Sequence, residues 1–441
     1  MADPSIDDSL TEQARRIRTG EITSHGLARA CLDRIHTLDP VLRAWTWVDE
    51  AQVLGDAEDR DREQRSGVIR GPLHGVPIGF KDIFDTSRLP TGRGSTFFDG
   101  YMPARDAIAV SRLTDAGAIV LGKLVTTEFA SMDPGPTRNP WNIAHTPGGS
   151  SSGSAAAVAA RMCPAALGTQ TSGSVGRPAA YCGVAGLVPT AERIPREGVF
   201  PAAPSLDHVG MFARSSVDLG LLLSVLSARV LESRAKPDPV RIGVLEGPFR
   251  RMATPDAWAH HVATCQALAA AGFLLHHLGV PDGFGRAMDA LMAIMRAELA
   301  EVHRDRYGRE PDRYGPKISA FVREGMALTA TTLESAYRER RRYQNSMRAL
   351  FSSCDVLISP GATGPAPRDL TTTGDPAMSA PWTFADFPTV TLPTGLDRDR
   401  LPLGVQLTAP PLEEHLLLDI ASRVEATLSP IGLPSTIRID R

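Results

Sequence analysis

The order of apolar patterns along the chain is the feature that most limits what it can fold into. Up to about residue 230, segments with apolar residues at helical spacing alternate with short apolar runs typical of buried strands. Residues 255–350 are mostly helical in pattern, and their charged run at 337–343 predicts a solvated helix face. Strand patterns return from residue 355 onward in DVLISP, TVTLP and LGVQLTAP. This alternation predicts a mixed α/β domain with a helical insert.

Composition and charge argue against several classes of protein. The 441-residue chain has 47 basic and 50 acidic residues and a net charge of −3, which gives no reason to expect nucleic acid or an anionic membrane as a partner. Its five cysteines include no CxxC pair, which argues against a disulfide framework or a zinc ribbon and fits a reducing compartment. Because we see no signal-peptide pattern and no apolar run near the ~20 residues of a membrane helix, we expect a cytoplasmic protein.

Lysine is rare in this chain, which makes each lysine informative. Only four of the 47 basic residues are lysines, and Lys81 lies in the apolar strand pattern of residues 76–83. Burial of an unpaired ammonium is costly, so Lys81 is either an edge residue that reaches solvent or a buried lysine with a lowered pKa. The second interpretation is favoured, because arginine, the usual cation here, cannot lose its proton and act as a base.

A segment rich in glycine and serine occupies residues 147–160, PGGSSSGSAAAVAA. A flexible linker would not need the alanine-rich helix that follows, and the GK[ST] ending of a phosphate loop is absent. Residues 149–153 match the GxSxG pattern of a nucleophile elbow centred on Ser151, although the strand that an elbow requires is not predicted before it. A serine esterase of the α/β-hydrolase type that uses Ser151 therefore stays open as an alternative.

A polar turn, GTQTSGSVGRP, covers residues 168–178. Consecutive backbone N–H groups in such a turn can form an anion-binding site, with the hydroxyl of Ser174 at its end. The alternative is a simple turn from a strand to a helix, with Pro178 at the first helical position.

Together, these three segments resemble the amidase signature family. Lys81 in GVPIGFKD, Ser150 after two glycines and Ser174 in TSGSVGRPAA match the family's catalytic lysine, the serine next to its cis peptide bond and its nucleophilic serine. The resemblance continues through SLDHVG, DVLISP, PWTFADFPTVTLPTG and LPLGVQL. It covers roughly residues 1–230 and 350–428 and leaves the insert largely unmatched.

The resemblance implies one large domain over residues 1–441. The expected architecture is a mixed, mostly parallel sheet covered by helices on both faces. Its core would span about 65–230 and 350–428, with N-terminal helices over 1–64 and a variable helical insert over about 255–350.

The resemblance also implies roles for particular residues. Ser174 would attack the substrate carbonyl and form an acyl-enzyme, while Ser150 relays the proton to Lys81. Backbone N–H groups of the turn would bind the oxyanion, and no metal or cofactor would be needed. Substrate-binding and oxyanion candidates in the turn are Thr171, Ser172, Gly173 and Arg177, with Thr169 and Asp207 as residues that order the site from behind. Loop position alone adds Ser131 and Met132 as substrate-binding candidates, and Phe129, Trp141 and Phe200 as further candidates for the pocket wall.

Two positions depart from the family's usual Asp-Thr-Gly-Gly-Ser turn. Gln170 replaces the aspartate and removes a charge, and Ser172 replaces a glycine and adds a hydroxyl.

Arg177 has two interpretations, a ligand of a substrate carboxylate or a structural residue.

The function predicted from this resemblance is hydrolysis of a small-molecule amide, with carbamates or urea-type C–N bonds as further substrates. Within the family, the alternative is the glutaminase subunit of a tRNA-dependent amidotransferase. We expect a small-molecule substrate as the partner, no nucleic acid or membrane partner, and a monomer or homodimer.

Overall fold

The computed structural model describes residues 4–227, 237–434 and 436. Its strands form one sheet of eleven, in the order β1-β3-β2-β4-β6-β5-β10-β11-β9-β7-β8. The strands are β1 (Trp45–Trp47), β2 (Pro77–Lys81), β3 (Ile119–Leu124), β4 (Ala165–Gln170), β5 (Ala185–Val188), β6 (His208–Ala213), β7 (Arg241–Leu245), β8 (Leu274–Leu278), β9 (Val356–Pro360), β10 (Thr389–Leu396) and β11 (Pro402–Thr408).

Helices connect and cover these strands. The α-helices are α1 (Leu10–Thr19), α2 (Ser24–Leu42), α3 (Glu50–Arg65), α4 (Ile108–Asp115), α5 (Ser152–Ala159), α6 (Gly176–Cys182), α7 (Ser216–Leu226), α8 (Pro248–Met252), α9 (Pro255–Ala270), α10 (Phe284–Arg309), α11 (Pro316–Met326), α12 (Ala330–Ala349), α13 (Ala380–Ala385) and α14 (Glu414–Thr427). Short 3₁₀ helices span Pro4–Asp7, Thr96–Phe98, Glu128–Ala130, Pro311–Arg313 and Leu350–Ser352.

The sheet is mixed, as predicted, but parallel pairs do not predominate. Six of the ten strand pairings among the described residues are antiparallel. The reason lies in the connections. Parallel neighbours need a crossover such as α4, α5 or α9, whereas only residues 397–401 separate β10 from β11, and so short a connection makes an antiparallel hairpin.

Both faces of the central sheet are covered. Every residue of β2, β4, β5 and β6 is buried, which requires packing on both sides. The helix α5 is buried along its whole length and contacts β2, β3 and β4. Its serine, glycine and alanine side chains allow this close approach, so the segment before it is held against the ends of β2 and β4.

The predicted insert is mostly helical, with two differences from expectation. Strand β8 was not predicted, and it joins the sheet beside β7. The charged run was expected to face solvent, yet Arg340 and Tyr343 of α12 are buried. Arg340 donates to Asp386 at 2.7 Å and to the Phe384 carbonyl at 3.2 Å, so this arginine ties the insert to the core.

A second buried lysine, Lys123 of β3, fixes the loop that follows β2. Its Nζ donates to the Phe84 carbonyl and to Thr91 Oγ1, each at 2.6 Å, and lies 3.4 Å from Asp82 Oδ1. Burial lowers the pKa of Lys123 to about 8, and the nearby Asp82 opposes that shift. The Lys123 side chain therefore fixes the loop that begins directly after Lys81.

We expect Lys123→Met to lower the free energy of unfolding by about 3–5 kcal/mol, because it leaves the buried Asp82 carboxylate without its cation. Urea denaturation measures this loss. The control is Lys317→Met at an exposed lysine, which should change stability by only about 0.5 kcal/mol. Equal effects of the two substitutions would contradict the role given to Lys123.

Candidate active site

The Lys81 side chain lies at the carboxyl end of β2, next to the parallel strand β4. Phe80 is in register with Leu167, so Lys81 lies level with the end of β4 that carries Thr169. The Lys81 Nζ donates to Ser150 Oγ at 2.7 Å and to Thr169 Oγ1 at 2.8 Å. The side chain is fully buried, so Lys81 is not an edge residue that reaches solvent.

The environment of Lys81 favours its neutral form. Burial lowers the pKa of Lys81 to about 7, and the more distant Asp207 charge opposes this shift. Among the ion pairs of the described residues, none includes Lys81, so its two close partners are uncharged hydroxyls. An amine in such surroundings can exchange a proton near neutral pH.

Ser150 lies at the start of the segment that leads into α5. The peptide bond between Gly149 and Ser150 is cis, as the resemblance implied. Arg177 Nη2 donates to the Gly149 carbonyl at 2.6 Å, and its Nη1 donates to the Gly374 carbonyl at 2.7 Å. Of the two interpretations of Arg177, these contacts favour the structural one.

Gln170 has a clear place in the turn. Its Oε1 accepts from the backbone N–H groups of Val175 and Gly176, each at 3.0 Å, and its Nε2 donates to Thr383 Oγ1 at 2.9 Å. A neutral amide therefore satisfies two donors of the turn and one acceptor at the same time. Although Gln170 lacks the negative charge of the aspartate in the family's usual turn, both backbone N–H groups still have a hydrogen-bond acceptor.

Asp207 holds the same turn from the opposite side. It accepts from Thr171 Oγ1 at 2.6 Å and from the backbone N–H groups of Ala202 and Ala203 at 2.8 and 3.0 Å. Burial raises the pKa of the Asp207 carboxyl, and these hydrogen bonds oppose the shift. Thr169 and Asp207 thus contact Lys81 and the turn, respectively.

A cavity of about 70 Å³ opens beside this turn. Six of the predicted residues line it: Ser131, Met132, Thr171, Ser172, Ser174 and Arg177. Gly173 is not among its lining residues and packs against Pro376 instead. Ser172 is absent from the described residues with positive φ, so the turn does not need a glycine there, and Ser172 lines the cavity.

The three aromatic candidates for the pocket wall do not line this cavity. Phe129 and Phe200 contact each other with tilted rings, 5.6 Å apart between centroids, where Phe200 packs against the buried cluster that contains Phe129. Trp141 donates to the Cys182 carbonyl at 2.8 Å. Their position in loops did not predict their contacts, because the packing of a loop side chain depends on the tertiary structure around it.

Four lining residues that we did not predict come from the insert: Met292, Met295, Leu299 and Phe321. The first three lie on α10 at spacings of three and four residues, which places them on one helix face. The pattern is visible in the sequence, but nothing in it indicates which surface this face covers.

Ser151 has a different environment from Ser174. It is fully buried, its hydroxyl donates to the Thr169 carbonyl at 3.2 Å, and it is not a lining residue of the cavity. Residues 125–150, all of which are described, contain no strand. The strand-turn-helix geometry of a nucleophile elbow is therefore absent around Ser151.

Two other features are absent from the described residues. None of their helices is both long enough and apolar enough to span a bilayer. They also contain no group of three or more His, Cys, Asp or Glu side chains placed to hold a metal ion.

The fold and the site define a hydrolase that cleaves amide bonds, and comparison with known proteins identifies its family. The family model for amidases matches residues 26–418, and the chain belongs to the amidase signature family. It is 35% identical to AmiD of Mycobacterium bovis, a provisionally named amidase, over 93% of this chain and 92% of that protein. It is 32% identical to one of the subunits of the glutamyl-tRNA(Gln) amidotransferase of a Synechococcus species, over 95% of this chain and 96% of that protein.

A solved structure agrees with this assignment. The native peptide amidase of Stenotrophomonas maltophilia aligns with a TM-score of 0.85 and 28% identity. The alignment covers 98% of this chain and 100% of the peptide amidase. The mixed sheet with its covering helices is thus the architecture of amidase signature enzymes.

We expect Gly173→Ala to reduce amide hydrolysis by about 10- to 100-fold, because a small displacement of this turn moves Ser174 in the wall of the cavity. An added Cβ would lie 2.8 Å from Pro376 Cβ and would push the turn away from its position. The measurement is kcat/KM on one amide substrate.

The matched control is Gly279→Ala, where an added Cβ meets nothing within 4 Å. Gly279→Ala should keep the activity of the original protein. Wild-type kcat/KM for Gly173→Ala would show that the turn has more room than the structure indicates.

Proposed function

We propose that this protein hydrolyses a small-molecule amide through an acyl-enzyme on Ser174, with Ser150 as proton relay and Lys81 as base. The observation that carries this proposal is the hydrogen bond of 2.7 Å between the fully buried Lys81 Nζ and Ser150 Oγ. It joins a basic amine to a hydroxyl in the loop beside the cavity that Ser174 lines.

The base chain works only if Lys81 can lose its proton. With a pKa of about 7, roughly half of the Lys81 side chains are neutral at pH 7. A neutral Lys81 Nζ can accept the Ser150 proton while Ser150 Oγ accepts the proton of Ser174. Among the hydrogen bonds of the described residues, none joins Ser174 to Ser150, and such bonds often tighten only when substrate is bound.

The first chemical step forms a bond between Ser174 Oγ and the carbonyl carbon of the amide. The Ser174 proton passes to Ser150, and the Ser150 proton passes to Lys81. The carbonyl oxygen gains negative charge, which the backbone N–H groups of residues 171–174 are suited to stabilise. Gln170 and Asp207 support this role, since their hydrogen bonds fix the two sides of the turn.

The second step breaks the C–N bond. The proton held by Lys81 returns through Ser150 to the leaving nitrogen, so ammonia or an amine departs in neutral form. Water then attacks the ester carbonyl, and the same chain removes its proton. The acid is released, and Ser174 recovers its hydroxyl.

A second candidate function is the glutaminase component of a tRNA-dependent amidotransferase. The 32% identity to a component of such an enzyme, over 95% of this chain, favours it. Such a component would work in a complex, so partner proteins should purify with a tagged form of this protein from its own cells. Purification of the protein alone with full amide hydrolysis supports the independent amidase instead.

Covalent labelling tests the choice of nucleophile. We expect a fluorophosphonate to add to Ser174 and give one adduct, because Ser174 lines the cavity and Ser151 is fully buried. Ser174→Ala should lose both labelling and hydrolysis. Mass mapping identifies the modified residue.

The matched control for Ser174→Ala is Ser151→Ala, which makes the same exchange at the neighbouring candidate serine. Ser151→Ala should still be labelled. An adduct on Ser151 in the original protein would instead support the esterase interpretation.

A pH profile tests the role of Lys81. Because the base must be neutral, kcat/KM should fall by about tenfold per pH unit below the pKa of Lys81 and level off above it. With a pKa of about 7, the change of slope should lie near neutral pH. Lys81→Arg keeps the positive charge but cannot act as a base, so it should be as inactive as Lys81→Ala on amides.

An activated ester serves as the control substrate for these variants. It needs less proton transfer to its leaving group, so Lys81→Arg should retain more activity on it than on an amide. Hydrolysis of amides by Lys81→Arg at the original rate would rule out Lys81 as the base.

A further inference from the structure

Two carboxylates flank a loop segment in the wall of the cavity. This lining segment consists of residues 130–132, all of which line the cavity. Glu128 and Asp133 lie just outside it and are not lining residues themselves. Glu128 Oε2 accepts from the Gly315 N–H and Asp133 Oδ2 from the Ile318 N–H, each at 2.8 Å. Both acidic side chains therefore bind the insert, at the start of α11.

The start of α11 has no capping side chain of its own. Its N-cap residue is Gly315, and Pro316 occupies the first helical position. The N–H groups of the next two residues have no acceptor within the helix. Both donate to Asp133, the Lys317 N–H at 3.2 Å and the Ile318 N–H at 2.8 Å. Asp133 thus caps this helix from a different part of the chain.

Together, the two carboxylates do the work of a capping box. In a capping box, two side chains of the helix satisfy the N–H groups of the N-cap residue and of the third helical residue. Here Glu128 and Asp133 supply both acceptors from the loop. A Cβ added at Gly315 would lie 2.6 Å from Glu128 Oε2 and 2.7 Å from Asp133 Cγ. Glycine at this position leaves the room that the two carboxylates need.

The backbone between the two carboxylates is strained. Phe129 and Ala130 have φ angles of 49° and 56°, in the left-handed region that is unfavourable for residues with a side chain. Such a conformation persists only where the surrounding contacts hold it. The Phe129 ring centroid lies 4.6 Å from that of His303 on α10 and 5.5 Å from that of Tyr314. The insert therefore supplies several of the contacts that hold this loop.

We propose that Asp133 is a positioning residue for amide hydrolysis, which holds the lining segment and α11 in the arrangement that binds the substrate. Phe321 of α11 also lines the cavity, so one cap places two parts of the wall. The inference rests on the proposed function, because it takes the cavity that Ser174 lines as the place where the amide binds.

The test is the effect of Asp133→Ala on KM and kcat for one small amide that the original protein hydrolyses. We expect KM to rise by about tenfold, because the wall that contacts the substrate loses its place. The kcat value should stay within about threefold, since the hydrogen bond between Lys81 and Ser150 is untouched. An unchanged KM, or a fall in kcat alone, would overturn the inference.

The conservative variant Asp133→Asn tests whether capping is the cause. An asparagine oxygen caps a helix about as well as that of aspartate, so KM should return to within about threefold of the original value. If Asp133→Asn raises KM as much as Asp133→Ala, the role given to the cap is wrong.

The matched control removes a cap from another helix of the insert. Thr329 Oγ1 accepts from the Thr332 N–H at 3.2 Å and caps α12, which contributes no lining residue to the cavity. Thr329→Ala should cost similar stability but leave KM unchanged, with circular dichroism showing that both alanine variants are folded at the assay temperature. An equal rise in KM would assign the effect to a general loss of stability and overturn the inference.

A second pair of variants displaces the carboxylates without removing them. Gly315→Ala places a Cβ against both of them and should also raise KM. The control is Gly308→Ala on α10, where an added Cβ meets nothing within 4 Å. Equal KM values for these two variants would contradict the inference.

Ser174→Ala separates this inference from the proposed mechanism. If Ser174→Ala still hydrolyses amides while Asp133→Ala raises KM, the mechanism fails and the positioning role stands. If Ser174→Ala is inactive and Asp133→Ala keeps the original KM, the mechanism stands and the positioning role fails.

Discussion

The arrangement of the site depends on the burial of one amino group, that of Lys81. Lys81 Nζ has two hydroxyl groups as its close partners and no ion pair among the described residues. An amine held in this way cannot keep its ordinary pKa, because burial penalises its charged form. The fully buried strands β2 and β4 create that environment, and the small side chains of α5 bring Ser150 close enough to contact the amine.

The turn beside this amine is held by neutral and charged groups in different ways. Gln170 satisfies two backbone N–H groups without adding a charge next to the lysine, and Asp207 adds its charge farther away, behind Thr171. A carboxylate nearer to Lys81 would stabilise the ammonium and raise its pKa. The arrangement therefore fixes the turn while it leaves the lysine able to lose its proton.

The insert does more than cover the sheet. Its α10 and α11 line the cavity, and the start of α11 also binds the loop that carries Ser131 and Met132. Glu128 accepts from the Gly315 N–H and Asp133 from the Ile318 N–H, each at 2.8 Å. The same helices thus form one wall of the cavity and position the loop on another, so changes in the insert can alter substrate choice without touching Lys81.

The sequence by itself determined the α/β class, the strand that carries Lys81, the strands that follow residue 354, the helical character of the insert and the three segments that meet at the site, because apolar periodicity and short motifs are local properties. It could not give the proportion of parallel strands, the burial of Arg340 or the packing of Phe129 and Trp141 away from the cavity. Those features depend on which surfaces meet after distant segments assemble. The face formed by Met292, Met295 and Leu299 shows the difference. The spacing of these residues can be read from the sequence, but only the tertiary structure places them at the cavity that Ser174 lines. The reason is that helix packing depends on the partner surface as much as on the helix itself.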